Sequence, residues 1–172
     1  MDDFEKKPTK YYSRIQEDRV ARYLNWGVVS GSGARPGQPG DLIGAHFLGE
    51  CKTHTEPGHK IVFNQEVWKK LQNEAQAKFS FPVLIVDDGS QRVDKTWCLF
   101  MPFVAPEYTK FKDYDIPIRT NAIFNGDEAL KKYAEDFYDE NLETFGTFVI
   151  RLGNEKLCMC PLPEFNRIFG DH

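Results

Sequence analysis

The feature that most constrains this chain is a pair of short apolar runs, Asp41-Leu42-Ile43-Gly44 and Phe47 to Thr53, separated only by Ala45-His46. Runs this short and this close read as two antiparallel strands joined by a two-residue loop. Gly44 then pairs with Phe47, Ile43 with Leu48, Leu42 with Gly49, and Asp41 with Glu50. Facing Cβ atoms in such pairs stand ~4.5–5.5 Å apart, where like charges are destabilising. Lys52 shares a face with Glu50, because side chains two apart in a strand point the same way. Two carboxylates and an ammonium therefore converge, and a divalent cation is the simplest relief for the repulsion between the acids. Mg²⁺ suits such a place, since one or two carboxylates plus non-protein oxygens hold it.

Register decides whether this geometry exists. A loop at Gly44-Ala45 sets Asp41 opposite Leu48, still on the face of Glu50. A three-residue loop turns Asp41 to the other face, because a one-residue slip inverts every side chain. Neither Ala-His nor Gly-Ala is a strong turn signal, so the sequence leaves these registers open.

The surroundings are clearer. Upstream, a helix is expected from Ser13 to Trp26, with capping-box spacing at Ser13 and Gln16 and Gly27 suited to its end. Its apolar stripe of Val20, Ala21 and Leu24 brings Glu17 to the inward side. A carboxylate there is costly unless it meets a cation or donors, so Glu17 is either a functional group or a rim residue paired with Arg14. Trp26 to Val29 reads as a strand, and Ser30 to Gly40 has the Gly-Ser-Pro composition of a flexible loop. After the hairpin, Thr55 to Gly58 is a turn and His59 to Phe63 is extended. Asn64 caps a helix from Gln65 to about Lys78 with Val67, Trp68, Leu71 and Ala75 inward. Phe81 to Val86 is a continuous apolar run, the pattern of a buried strand, parallel to its predecessor after the helical crossover. Further on we expect a strand from Thr96 to Phe103, a loop from Pro106 to Pro117, and an acid-rich helix from Gly126 to about Glu143. A hairpin around Gly153-Asn154 (Phe145 to Leu152, Glu155 to Cys160) and a helix from Pro161 to Phe169 complete the chain.

A chain of 172 residues can bury a proper core as one domain, here residues 1–94 with a C-terminal extension over 95–172. No apolar run approaches the ~18 residues of a membrane span. The first residues, MDDFEKKPTKYY, lack a signal peptide's apolar stretch, so a cytoplasmic location is expected. Cys51, Cys98, Cys158 and Cys160 lie in apolar segments without a C-x-x-C pair and read as buried structural thiols, not zinc ligands. Residues 1–80 carry 12 Lys and Arg against 10 Asp and Glu, whereas residues 81–172 carry 10 against 16. That balance argues against a broad basic face and leaves room only for a local basic patch on the N-terminal half.

A helix glutamate, then an aspartate, then E-x-K on a central hairpin resembles the PD-(D/E)XK nuclease superfamily. Within it, the segments QEDRVARYLNWGVVSGSG, PGDLIG, FLGECKTH and KIVFNQEVWKKL most resemble archaeal-type Holliday junction resolvases and their phage and bacterial relatives. The resemblance covers about residues 13–87. Gly40 stands where the usual proline precedes the aspartate, the Asp41–Glu50 spacing is short, and the C-terminal half has no counterpart.

It implies an α/β (α+β mixed) fold, a restriction-endonuclease-like core whose central mixed sheet is flanked by helices, with a C-terminal α+β elaboration. It implies Mg²⁺-dependent hydrolysis of DNA phosphodiesters, with Mn²⁺ as a substitute, giving 5′-phosphate ends. Branched DNA cut by a homodimer is the implied substrate, in a bacterial, archaeal or phage-infected cell. Asp41, Glu50 and the Cys51 carbonyl would hold the metal, with Glu17 bringing a second ion or its waters. Lys52 would orient the attacking water, and Gln65 would position Lys52 or that water. Ser32 would lie at the scissile phosphate, with Arg35, Thr53 and Lys60 on neighbouring phosphates. The alternatives are a repair or restriction-like nuclease, and a non-catalytic DNA- or partner-binding module on the same fold.

Overall fold

The computed structural model describes residues 9–29, 41–104 and 118–170. The expected loop over Pro106 to Pro117 and the Ser30 to Gly40 segment lie outside the described residues.

Helix α1 spans Thr9–Leu24, so it begins before Ser13 and the expected capping box does not form. Gln16 lies inside the helix, 2% exposed, and its side chain makes a tertiary contact instead. The helix also ends two residues earlier than expected. Asn25 adopts a left-handed conformation (φ 57°), the Trp26 N–H donates to the Ala21 carbonyl, and the Asn25 N–H donates to the Arg22 carbonyl. This is a Schellman closure with Asn as the left-handed residue, so Gly27 is not needed for it.

The chain continues through β1 (Gly27–Val28), β2 (Leu42–Ile43), β3 (Phe47–Lys52) and β4 (Ile61–Asn64) into α2 (Gln65–Ala77) and β5 (Phe81–Asp87). The Asn64 side chain accepts from the Glu66 and Val67 N–H groups at 2.9 and 3.1 Å, the expected N-cap. Trp68, Leu71 and Ala75 are buried, with Val67 packed against them. After a 3-10 turn at Val93–Lys95 come β6 (Thr96–Phe100), β7 (Ile118–Arg119), β8 (Asn121–Phe124) and α3 (Asp127–Tyr133). The chain closes with β9 (Tyr138–Asp139), β10 (Thr144–Phe145), β11 (Phe148–Leu152), β12 (Glu155–Pro161) and α4 (Leu162–Phe169).

The acid-rich segment over 126–143 is not one helix. It stops at Tyr133, and β9 pairs with β10 instead. Aromatic packing accounts for the break, since Phe137 stacks on Phe148, and Tyr138 meets Phe145, which lies against Trp97. These ring contacts, made by the half-exposed Phe137 and Tyr138 against Phe148 and Phe145, outweigh the helix preference of the intervening polar residues.

Eight strands of the described residues form one mixed sheet in the order β1-β2-β3-β5-β6-β12-β11-β7, with helices on both faces. The β3–β5 pair is parallel, as expected for strands joined through α2. β4 leaves the main sheet to pair with β8. One face carries Leu48, Leu84, Val86 and Leu99 beneath α2 and the β4–β8 ribbon. The other carries Phe47, Cys51, Ile85 and Cys98 beneath α1 and α4. The sheet runs without interruption across residue 95. Glu155 at the start of β12 accepts from both Trp68 Nε1 (3.1 Å) and Gln72 Nε2 (3.0 Å) of α2, joining the two halves of the chain.

Candidate active site

The hairpin adopts the first of the three registers. Leu42 pairs with Gly49 and Ile43 with Leu48, and the Gly44 N–H donates to the Phe47 carbonyl at 3.0 Å around Ala45-His46. Gly44 is required by close approach. A Cβ there would fall 2.5 Å from the Trp26 indole, which also lies over Gly49 and stacks on Phe47. The indole therefore clamps the hairpin where α1 turns into β1.

Because β2 is only two residues long, no strand among the described residues pairs with this edge of β3 beyond Gly49. Asp41 fills that edge. Its N–H donates to the Gly49 carbonyl at 2.7 Å, and its Oδ2 accepts from the Cys51 N–H at 2.8 Å. The Cys51 N–H thus points to the open side, and its carbonyl shares that direction, because both groups of one strand residue project toward the same neighbour. Glu50, on the face of Leu48, forms an ion pair with Lys52 (Oε1 to Nζ, 3.2 Å), whose side chain remains about half exposed. The shared face of Glu50 and Lys52 and the convergence of Asp41 both match the sequence reading.

Glu17 reaches the same edge from α1. Partial burial, then the negative charges of Asp41 and Glu50, push its carboxyl up from 4.5 to about 7. Burial raises Glu50 as well, and Asp41 raises it further, while the Lys52 ammonium pulls it back. Three carboxylates from α1, the residue before β2, and β3 therefore act on one another across the open edge. Among the described residues, no group of three or more His, Cys, Asp or Glu side chains is placed to hold a metal ion. The donor set still fits Mg²⁺, a hard cation held by one or two carboxylates that retains several waters. Half-buried carboxyls in one another's negative field, with a backbone carbonyl beside them, are the oxygens such an ion would bind.

Other expected site residues are placed differently. The Gln65 side chain packs directly against Gly153 in the β11–β12 turn. β12 lies three strands from β3, ~14 Å at a strand spacing of ~4.8 Å. Gln65 therefore does not position Lys52. Its N–H donates to Asn121 Oδ1 at 3.0 Å, a bond between α2 and the β4–β8 ribbon. The Thr53 hydroxyl donates to Asp87 Oδ1 at 2.5 Å, so its proton is committed inside the protein and not to a phosphate. Lys60 is exposed just before β4. Ser32 and Arg35 lie outside the described residues.

Two participants were missed. Glu74 on α2 adds negative charge that also raises Glu50, and it pairs with Lys70 at 3.8 Å. Its position next to Ala75 on the flank of the apolar stripe was the available signal. Gln16 donates from Nε2 to the Lys52 carbonyl at 2.8 Å, and its inward place in the helical repeat, which coincides with capping-box spacing, is the available signal.

Searches against family models, curated proteins and solved structures each found no match. No helix among the described residues is long and apolar enough to cross a membrane.

Proposed function

We propose that this chain is a Mg²⁺-dependent DNA endonuclease with a restriction-endonuclease-like core, selective for branched DNA and acting as a homodimer. The observation that carries the reading is the meeting of Glu17, Asp41 and Glu50 with Lys52 at one edge of β3, where no described strand pairs beyond Gly49. Glu17 and Glu50 are raised by burial first and by neighbouring negative charge second, a cost that a bound cation would relieve, so their clustering makes sense at a site that takes one. Asp41, Glu50 and the Cys51 carbonyl would hold Mg²⁺, with Glu17 within reach of its water shell. When bound, the ion supplies Lewis-acid stabilisation of charge on the phosphate and lowers the pKa of a coordinated water.

The chain's own groups do the rest. Glu50 fixes the Lys52 ammonium beside the acids, where it orients the attacking water and counters negative charge building on the phosphate. The half-exposed lysine leaves that face open to a backbone entering from solvent. Thr53 has no part in this version of the site, and Gln65 supports the fold.

The test incubates the purified protein with Mg²⁺ and, in parallel, four-way junction, flap, duplex and single-stranded DNA. Symmetric nicks in the junction support branched-DNA selectivity, and equal degradation of all four supports a general repair or restriction-like nuclease. Asp41→Asn and Lys52→Ala must abolish cutting. Wild-type rates in both would assign the observed cleavage to a contaminant and leave a non-catalytic binding module.

A further inference from the structure

We infer that Gln16 is a positioning residue that clamps the end of β3, holding Lys52 in place relative to Glu17. This rests on the nuclease reading and adds a residue to it.

β3 ends at Lys52, and strand ends fray unless something holds their last polar groups. Gln16 Nε2 meets the Lys52 carbonyl at 2.8 Å. Gln16 adjoins Glu17 in sequence, so one helical turn delivers the outlying carboxylate and anchors the backbone bearing the ammonium. A shift of α1 along the sheet would therefore move both together.

The choice of side chain is informative. Gln16 is 2% exposed, and its Oε1 is buried without a hydrogen-bond partner. Reversing the amide would set Oε1 against the Lys52 carbonyl, so this orientation is fixed by the bond it makes. A buried acceptor left unmatched is destabilising. An apolar residue of similar length would remove that defect, while the Lys52 carbonyl, at an exposed residue, could turn to water. The glutamine keeps the clamp at the expense of stability, which fits a role in the site better than one in the core.

A second amide tie provides the control. Gln91 Nε2 donates to the Tyr12 carbonyl at 2.9 Å, fastening the start of α1 without touching β3. Gln16→Met, Gln91→Ala and Lys52→Ala are compared with wild type on whichever of the four DNAs it cuts fastest, with Mg²⁺. Melting temperatures are recorded for each. Gln16→Met is expected to lose kcat by about 10- to 100-fold, the scale of a small misplacement in a positioned site. Its KM should stay at the wild-type value and its melting temperature should hold or rise, because the unmatched Oε1 is gone, and Gln91→Ala should keep its kcat while melting lower. Wild-type kcat in Gln16→Met overturns the clamp, as does a parallel fall in its melting temperature or an equal kcat loss in Gln91→Ala. Those results leave the site reading intact if Lys52→Ala is inactive. Absence of cutting by wild type, or full activity in Lys52→Ala, removes the site reading and the clamp together.

Discussion

Glu17 offers the sharpest test of the electrostatic argument. A carboxyl raised from 4.5 to about 7 binds a proton in the folded state that the unfolded chain has already released. Its stabilising contribution is complete below about 4.5 and is lost as pH rises through about 7, so folding stability should fall across that window. At about 1.4 kcal/mol per pKa, the ceiling is about 3 kcal/mol, and solvent screening of a half-buried group reduces it to about 1–2 kcal/mol. For a chain of this size that is roughly 2–8 °C in melting temperature. The experiment follows thermal unfolding by circular dichroism at pH 5 and pH 8, in chelator, for wild type and Glu17→Gln. The fall from pH 5 to pH 8 should be smaller in the variant by the stated amount. Mg²⁺ at tenfold its Kd should stabilise wild type at pH 8 by about 1.4 kcal/mol, and Glu17→Gln by less at the same concentration. Identical pH slopes in the two proteins would refute the claim that Glu17 shares the field of Asp41 and Glu50.

Three further substitutions probe the parts around it. Asp41→Asn keeps an acceptor for the Cys51 N–H and should fold as wild type while losing activity. Asp41→Ala orphans that N–H and should also cost about 1–3 kcal/mol in urea unfolding. Gly44→Ala forces a methyl into the Trp26 indole and should cost about 1–3 kcal/mol by the same assay, with a changed tryptophan emission. Asn64→Ala removes two cap bonds and should lower stability by about 1 kcal/mol with no change in kcat.

The hairpin and α2 could be read from sequence because local rules and tertiary packing agree there. Alternation fixes which faces meet, and Asn64 accepts from two of the N–H groups that open its helix. Where the two disagree, sequence alone misleads. Ser13 and Gln16 have the spacing of a cap, but Gln16 finds a better partner in a strand 36 residues away. The 126–143 segment has helical composition, yet Phe137 and Tyr138 pair with rings that only the fold brings near. Gln65 and Thr53 stood at positions fitting a motif, and no local pattern could reveal that Gly153 and Asp87 would occupy them. The core acids and Lys52 were legible because two of the three open registers bring Asp41 to the face of Glu50, and alternation puts Lys52 there in all of them.

All four thiols, Cys51, Cys98, Cys158 and Cys160, sit reduced in the single layer between the sheet and its α1–α4 cover. Burial raises each of them above the ordinary cysteine range. Reagents attack the thiolate, so the native chain should be silent to an aromatic disulfide dye. Lifting α1 would uncover Cys51 directly under it, which turns an inert interior into a built-in gauge. The rate of colour release would report how often the helix that carries Glu17 parts from the strand that carries Lys52.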